Sequence, residues 1–164
     1  MKRVVKLIGV MSVAVSCAMA GNGYFTLFGG SASGDIPSQA RYGVGFEGWS
    51  SGLKGEAKTF VWGTGLGMAY GKKGDLEYFD MYADVRLGTK VSKNALVYGI
   101  VGVTGGSLAS NDAVYGFEGG VGARYFLRDY RFEIGVDYKY SWNKDDAGLD
   151  PTMHKIMGVV GFHF

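Results

Sequence analysis

Cysteine and proline are nearly absent from this chain of 164 residues, with one Cys and two Pro against 29 Gly. The lone Cys17 falls in the N-terminal leader described below, so the mature protein can form neither a disulfide nor a thiolate metal site. Scarce proline excludes a collagen-like chain, and an aromatic share of 15% excludes disorder. Charge of one sign is missing too. Lys2, Arg3 and Lys6 belong to the leader, which leaves 14 Lys and Arg against 15 Asp and Glu and excludes a nucleic-acid binder. Beyond the leader no apolar run approaches the ~20 residues of a membrane-spanning helix. An exported chain of this kind either stays in water or crosses a membrane as strands.

The leader itself is plain. Met1 to Lys6 is basic, Leu7 to Val15 is apolar, and Ala18-Met19-Ala20 reads as a cleavage site before Gly21. Residues 1–20 are expected to be a signal peptide and residues 21–164 a single domain. Lipidation at Cys17 is the weaker reading, because Ala14 stands where a lipobox carries Leu.

From Gly21 onward the dominant period is two. In Tyr130 to Trp142 one face carries Tyr130, Phe132, Ile134, Val136, Tyr138, Tyr140 and Trp142, and the other Arg131, Glu133, Asp137 and Lys139. Phe79 to Leu87 and Tyr115 to Leu127 alternate in the same way. Turn-forming residues punctuate the chain at seven places, which predicts about eight strands, near 23–32, 39–49, 54–70, 76–89, 95–104, 114–127, 130–142 and 153–164. A two-residue turn at Arg128-Asp129 would set Arg124 opposite Glu133 and Glu118 opposite Lys139, two pairs of opposite charge.

The polar faces collect Glu47, Glu56, Asp80, Asp84, Glu118, Glu133 and Asp137 against Lys58, Arg86, Arg124, Arg131, Lys139 and Lys155, a near-neutral set that suits a closed interior. Tyr130, Tyr140 and Trp142 are expected in aromatic girdles, since twelve steps of ~3.3 Å at ~40° tilt cover roughly 30 Å. One stretch breaks the pattern: if Glu56 and Lys58 face inward, so do Phe60 and Trp62, unless a bulge near Thr59 switches the faces.

The chain ends with Ile156, Val160, Phe162 and the terminal Phe164 on one face. A last strand of this form resembles the assembly signal of bacterial outer-membrane barrels, and with the leader and strand count the whole mature chain resembles the eight-stranded OmpA/OmpX-type family. The resemblance implies an all-β, up-and-down transmembrane barrel in the outer membrane, with both termini in the periplasm. It implies outer-membrane lipid, lipopolysaccharide and the barrel assembly machinery as partners, and no cofactor. The expected role is non-enzymatic, in envelope integrity or surface interaction through four outer loops of about five to ten residues.

Two further readings follow. Barrels resembling the lipid A deacylase and palmitoyltransferase families use a His with Ser and an acid near the outer leaflet, which makes His154, with Ser107, Ser110 and Asp112, the alternative site. A small pore is the third, disfavoured because side chains can fill an eight-stranded interior. His163 reads as a capping polar group, and Asp145, Asp146 and Asp150 as a solvated acidic loop. Gly63-Thr-Gly-Leu-Gly67 lacks the helix that a phosphate loop requires.

Overall fold

A computed structural model describes residues 22–35, 38–54, 56–74, 76–108, 112–127, 129–145 and 151–164. The expected leader lies outside them. Eight strands follow one another: β1 (Asn22–Gly34), β2 (Gln39–Trp49), β3 (Phe60–Lys73), β4 (Leu76–Ser92), β5 (Ala95–Leu108), β6 (Asp112–Leu127), β7 (Phe132–Asp145) and β8 (Thr152–His163). Each pairs antiparallel with the next, and β8 returns to β1 from Tyr24↔His163 to Gly34↔Met153, closing the barrel. Closure leaves no unpaired edge. Among the described residues no helix is long and apolar enough to cross a membrane.

Alternation places one set of side chains in the lumen and the other outside on every strand. The proximal end of the barrel, where β1 begins and β8 finishes, is crossed by the β2–β3, β4–β5 and β6–β7 connections. At the distal end the four connections span two to six residues, shorter than the sequence suggested, because the strands run past their expected ends.

Two expectations need correction. The third strand begins at Phe60, not near 54, and residues 51–54 form a 3-10 turn that buries Leu53 under the barrel. Lys58 has a φ of 69° and its amide donates to Lys90 O at 2.7 Å, so the chain turns before the strand starts. Glu56 and Lys58 are consequently exposed in a connection, and Phe60 and Trp62 point outward. Arg131 likewise sits in a turn and is exposed.

The second correction is the β6–β7 register. Arg124 lies opposite Gly135 and Glu118 opposite Ser141, two residues from the expected pairing. The consecutive positive φ values fall at Asp129 (53°) and Tyr130 (69°), so the two-residue turn is Asp129-Tyr130. A shift of two preserves the faces, which is why the inside and outside assignments hold while the opposite partners change.

Candidate functional site: a charged lumen inside an apolar wall

Six acids (Glu47, Asp80, Asp84, Glu118, Glu133, Asp137) and six bases (Arg41, Arg86, Lys90, Arg124, Lys139, Lys155) are buried in the interior. Ten of them form one unbroken chain of ion pairs. Arg41 binds Asp80 at 2.7 Å, and Asp80 binds Lys155 at 2.8 Å. Lys155 reaches Glu118 at 3.3 Å, Glu118 binds Lys139 at 2.8 Å, and Lys139 binds Asp84 at 2.7 Å. Arg86 joins Asp84 (2.8 Å) to Glu47 (2.5 Å), and Arg124 joins Glu47 to Asp137, each at 2.8 Å. Sign alternates along the whole chain. In a confined interior an unpartnered charge is costly, so the equal count and the alternation are what make this lumen possible.

Aromatic faces support the cations from the side. Lys139 Nζ lies 3.8 Å from the Tyr82 ring centroid, and the Arg86 and Arg124 guanidinium carbons lie 5.5 and 5.4 Å from that of Tyr98. The Tyr98 hydroxyl donates to Asp137 at 2.5 Å.

Toward the proximal end the charges give way to an apolar plug of Tyr24, Trp49, Leu53, Val61, Leu96, Tyr98, Ile100 and Phe126. Phe28, Tyr82, Met157 and Val159 pack elsewhere in the interior, and Tyr78 packs with Met153. Spaces of about 10 Å³ remain beside Arg41 and Asp80 and beside Lys139 and Lys155, each room for about one water.

Glu118 and Lys139 are thus in direct contact, although not opposite one another. Arg124 Nε is 3.8 Å from Glu133, longer than its contacts with Glu47 and Asp137. Glu133 Oε2 instead accepts from Trp49 Nε1 at 3.3 Å, and its Oε1 has no hydrogen-bond partner. Sequence reasoning missed Arg41 and Lys90. Arg41 shares strand parity with Glu47 and could have been read from it; Lys90 falls where turn-forming residues begin, so its strand position was hidden.

Outside, every strand exposes large apolar side chains, among them Leu27, Tyr42, Trp62, Val85, Val101, Phe117, Val136 and Val160. Ile156, Phe162 and Phe164 are exposed on the same wall. Trp142 is exposed near the distal end with the Tyr140 ring 4.6 Å away. Tyr130 differs from the girdle expectation. Held in the β6–β7 turn, it packs on Phe126 at 5.4 Å, donates its hydroxyl to Lys93 O at 2.6 Å and accepts from Lys90 Nζ at 2.8 Å.

His154 points outward on β8, its Nδ1 2.7 Å from the Tyr138 hydroxyl and its ring against Tyr140. Its nearest chemistry is therefore phenolic. Ser107 lies on β5, two strands beyond the β7 neighbour of His154, and Ser110 lies outside the described residues, as does the side chain of Asp112. Ser33 is the serine across the β1–β8 ladder from His154, without a hydrogen bond to it. His163 is exposed at the proximal opening, edge-on to Tyr24 at 5.3 Å. Asp146 and Asp150 lie outside the described residues. Among the described residues no three His, Cys, Asp or Glu side chains converge to hold a metal.

No known protein family and no curated protein sequence matches this chain. Solved structures do. Ail, the attachment invasion locus protein of Yersinia pestis, aligns over 88% of this chain and 99% of its own at 15% identity, with a TM-score of 0.56. Neisserial surface protein A aligns over 87% of this chain and 96% of its own at 10% identity, with a TM-score of 0.59. At such identities the likeness concerns architecture: this chain has the fold of the small eight-stranded β-barrels of bacterial outer membranes.

Proposed function

We propose that this protein is an integral, non-enzymatic barrel of the bacterial outer membrane, its proximal end in the periplasm, serving envelope integrity or surface interaction. The observation that carries this reading is the inverted polarity: charges are enclosed and the wall is apolar on every strand. In water such a wall would be a very large exposed apolar patch, whereas in hydrocarbon it is the expected lipid contact. Distal connections of two to six residues suit a compact surface element better than a broad adhesive one. Against an acyl-transfer role, the His154 Nδ1 is engaged by the Tyr138 hydroxyl, and Ser33, across the ladder, makes no hydrogen bond to it.

The test is fractionation of expressing cells together with electrophoresis of boiled and unboiled samples. Sedimentation with the outer membrane and a heat-dependent shift in mobility are expected; recovery in the soluble periplasm would refute the reading. Lipid A composition is expected to be the same with and without His154→Ala.

The exposed Phe164 is proposed to address the chain to the barrel assembly machinery. Its deletion should lower insertion in cells while leaving refolding into micelles intact, and equal loss in both settings would reduce Phe164 to a packing residue.

A further inference from the structure

The proximal end carries cations that the lumen does not use. Its three connections are tied together: the Lys58 amide donates to Lys90 O, the Tyr130 hydroxyl to Lys93 O, and Lys90 Nζ to both Leu53 O and the Tyr130 hydroxyl. On this plate Lys54, Lys58, Lys93 and Arg131 are exposed, against the exposed acids Glu56 and Asp129. None of the four cationic side chains has an ion-pair partner among the described residues. At the distal end exposed Lys72 is matched by Glu77 at 3.2 Å, while Lys73 and Lys144 are exposed without an ion-pair partner among the described residues.

Position narrows the partner. Lys58 precedes Phe60 by two residues, Lys93 follows Val91 by two, and Arg131 adjoins Phe132. Phe60 is 62% and Val91 57% exposed on the outer wall, so the cations stand just past the rim of the apolar wall. Long Lys and Arg stems can lie along that rim with their charged heads at the level of lipid phosphates. A soluble acidic polymer would need only the charge; continuity between cation and apolar rim favours lipid.

We propose that this plate binds the headgroups of anionic phospholipids and gathers them around the proximal end of the barrel. The inference rests on the membrane-spanning reading above. A Lys or Arg at an anionic surface corresponds to roughly fivefold in partitioning. With two acids opposing four bases, two cations are left unopposed, and enrichment of about fivefold is expected at the lipid positions beside each of them.

Two outward tryptophans supply the measurement. Trp62 is 44% exposed beside the proximal rim, and Trp142 is 54% exposed near the distal end. Buried Trp49 gives a constant background. The mature chain, as Trp142→Phe or Trp62→Phe, is refolded into vesicles of phosphatidylcholine mixed with phosphatidylglycerol brominated near the headgroup, and quenching reports the lipid around the remaining reporter. Trp62 should report about fivefold more phosphatidylglycerol than the bulk, and Trp142 the bulk composition. Combining Lys54→Gln, Lys58→Gln, Lys93→Gln and Arg131→Gln should abolish the enrichment at Trp62, while Lys→Arg at the three lysines with Arg131→Lys should keep it.

Bulk composition at Trp62 in the unaltered plate, equal enrichment at both reporters, or enrichment that survives the four Gln substitutions would each overturn the proposal. Retention of the protein on polyglutamate without lipid enrichment would overturn it in favour of a soluble polyanion. Failure of the unaltered chain to enter vesicles, seen as loss of the heat-dependent gel shift, would defeat the membrane reading itself.

Discussion

Removing the cation at Lys139 is the sharpest test of the enclosed charges. Its side chain is 1% exposed and lies 2.7 Å from Asp84 and 2.8 Å from Glu118. Lys139→Met keeps most of the volume and leaves the lumen one negative charge in excess. Asp84 retains Arg86, but Glu118 retains only Lys155 at 3.3 Å. Breaking a buried pair from one side costs ~3–5 kcal/mol. Adding Glu118→Gln restores equality of sign, and the double variant should recover about 2 kcal/mol of that loss, a coupling within the range for residues in one ion-pair group. Urea titration in vesicles, followed by tryptophan fluorescence, measures all four corners of the cycle. Additive costs within ~0.5 kcal/mol would show that the two residues do not depend on one another, and the proposed neutral lumen would fail with them.

Glu133 should behave in the opposite way: with one oxygen lacking a hydrogen bond and 3.8 Å from an Arg124 already engaged by Glu47 and Asp137, Glu133→Gln is expected to be neutral or stabilising, and a loss above ~2 kcal/mol in the same titration would contradict it. Tyr130→Phe removes a hydroxyl that bonds Lys93 O and Lys90 Nζ and should cost ~1–3 kcal/mol, whereas a Tyr that merely faced lipid would tolerate the change. A Cβ at Gly120 would meet Tyr138 O at 2.1 Å while one at Gly99 meets nothing nearer than 3.9 Å, so Gly120→Ala should cost ~1–3 kcal/mol and Gly99→Ala less than ~0.5, by the same assay. At the distal end the Thr152 amide and then its hydroxyl hold the exposed Asp35 carboxyl below its ordinary value of 3.8. A depressed acid stabilises above that value and loses the contribution as pH falls through the lower folded value, so exchange of the Thr152 amide should accelerate below about pH 4, a dependence that Asp35→Asn should remove.

Strand number, connectivity and the faces of β4 to β8 were legible in the sequence, because period-two alternation is long and regular there. What escaped was local. The turn at Asp129-Tyr130 places positive φ on a tyrosine, a residue with no intrinsic preference for it, and the anchor that holds it there comes from Lys90 and Lys93 on another hairpin. Nothing near Arg128 in the sequence announces those partners. The start of β3 failed for a related reason: Glu56 and Lys58 continue the parity of the strand, and the turn before Phe60 depends on a hydrogen bond to Lys90 O. Within the lumen, alternation marked ten of the twelve enclosed charges, missing Arg41 and Lys90 and wrongly adding Glu56, Lys58 and Arg131. It brought Glu118 to Lys139 but did not show contacts such as Arg41 to Asp80 and Lys155 to Glu118, which join strands far apart in the chain.

The route of those pairs constrains how the barrel can enter a membrane. Glu118–Lys139 and Arg124–Asp137 join neighbouring strands, but Asp80–Lys155 runs from β4 to β8, Asp84–Lys139 from β4 to β7, and Glu47–Arg124 from β2 to β6. A hairpin inserted alone would therefore carry bare charges into hydrocarbon, with its neutralising partners still outside. Assembly must keep the nascent interior wet until β8 reaches β1, so that insertion, desolvation and seam closure become one cooperative event rather than eight separate crossings.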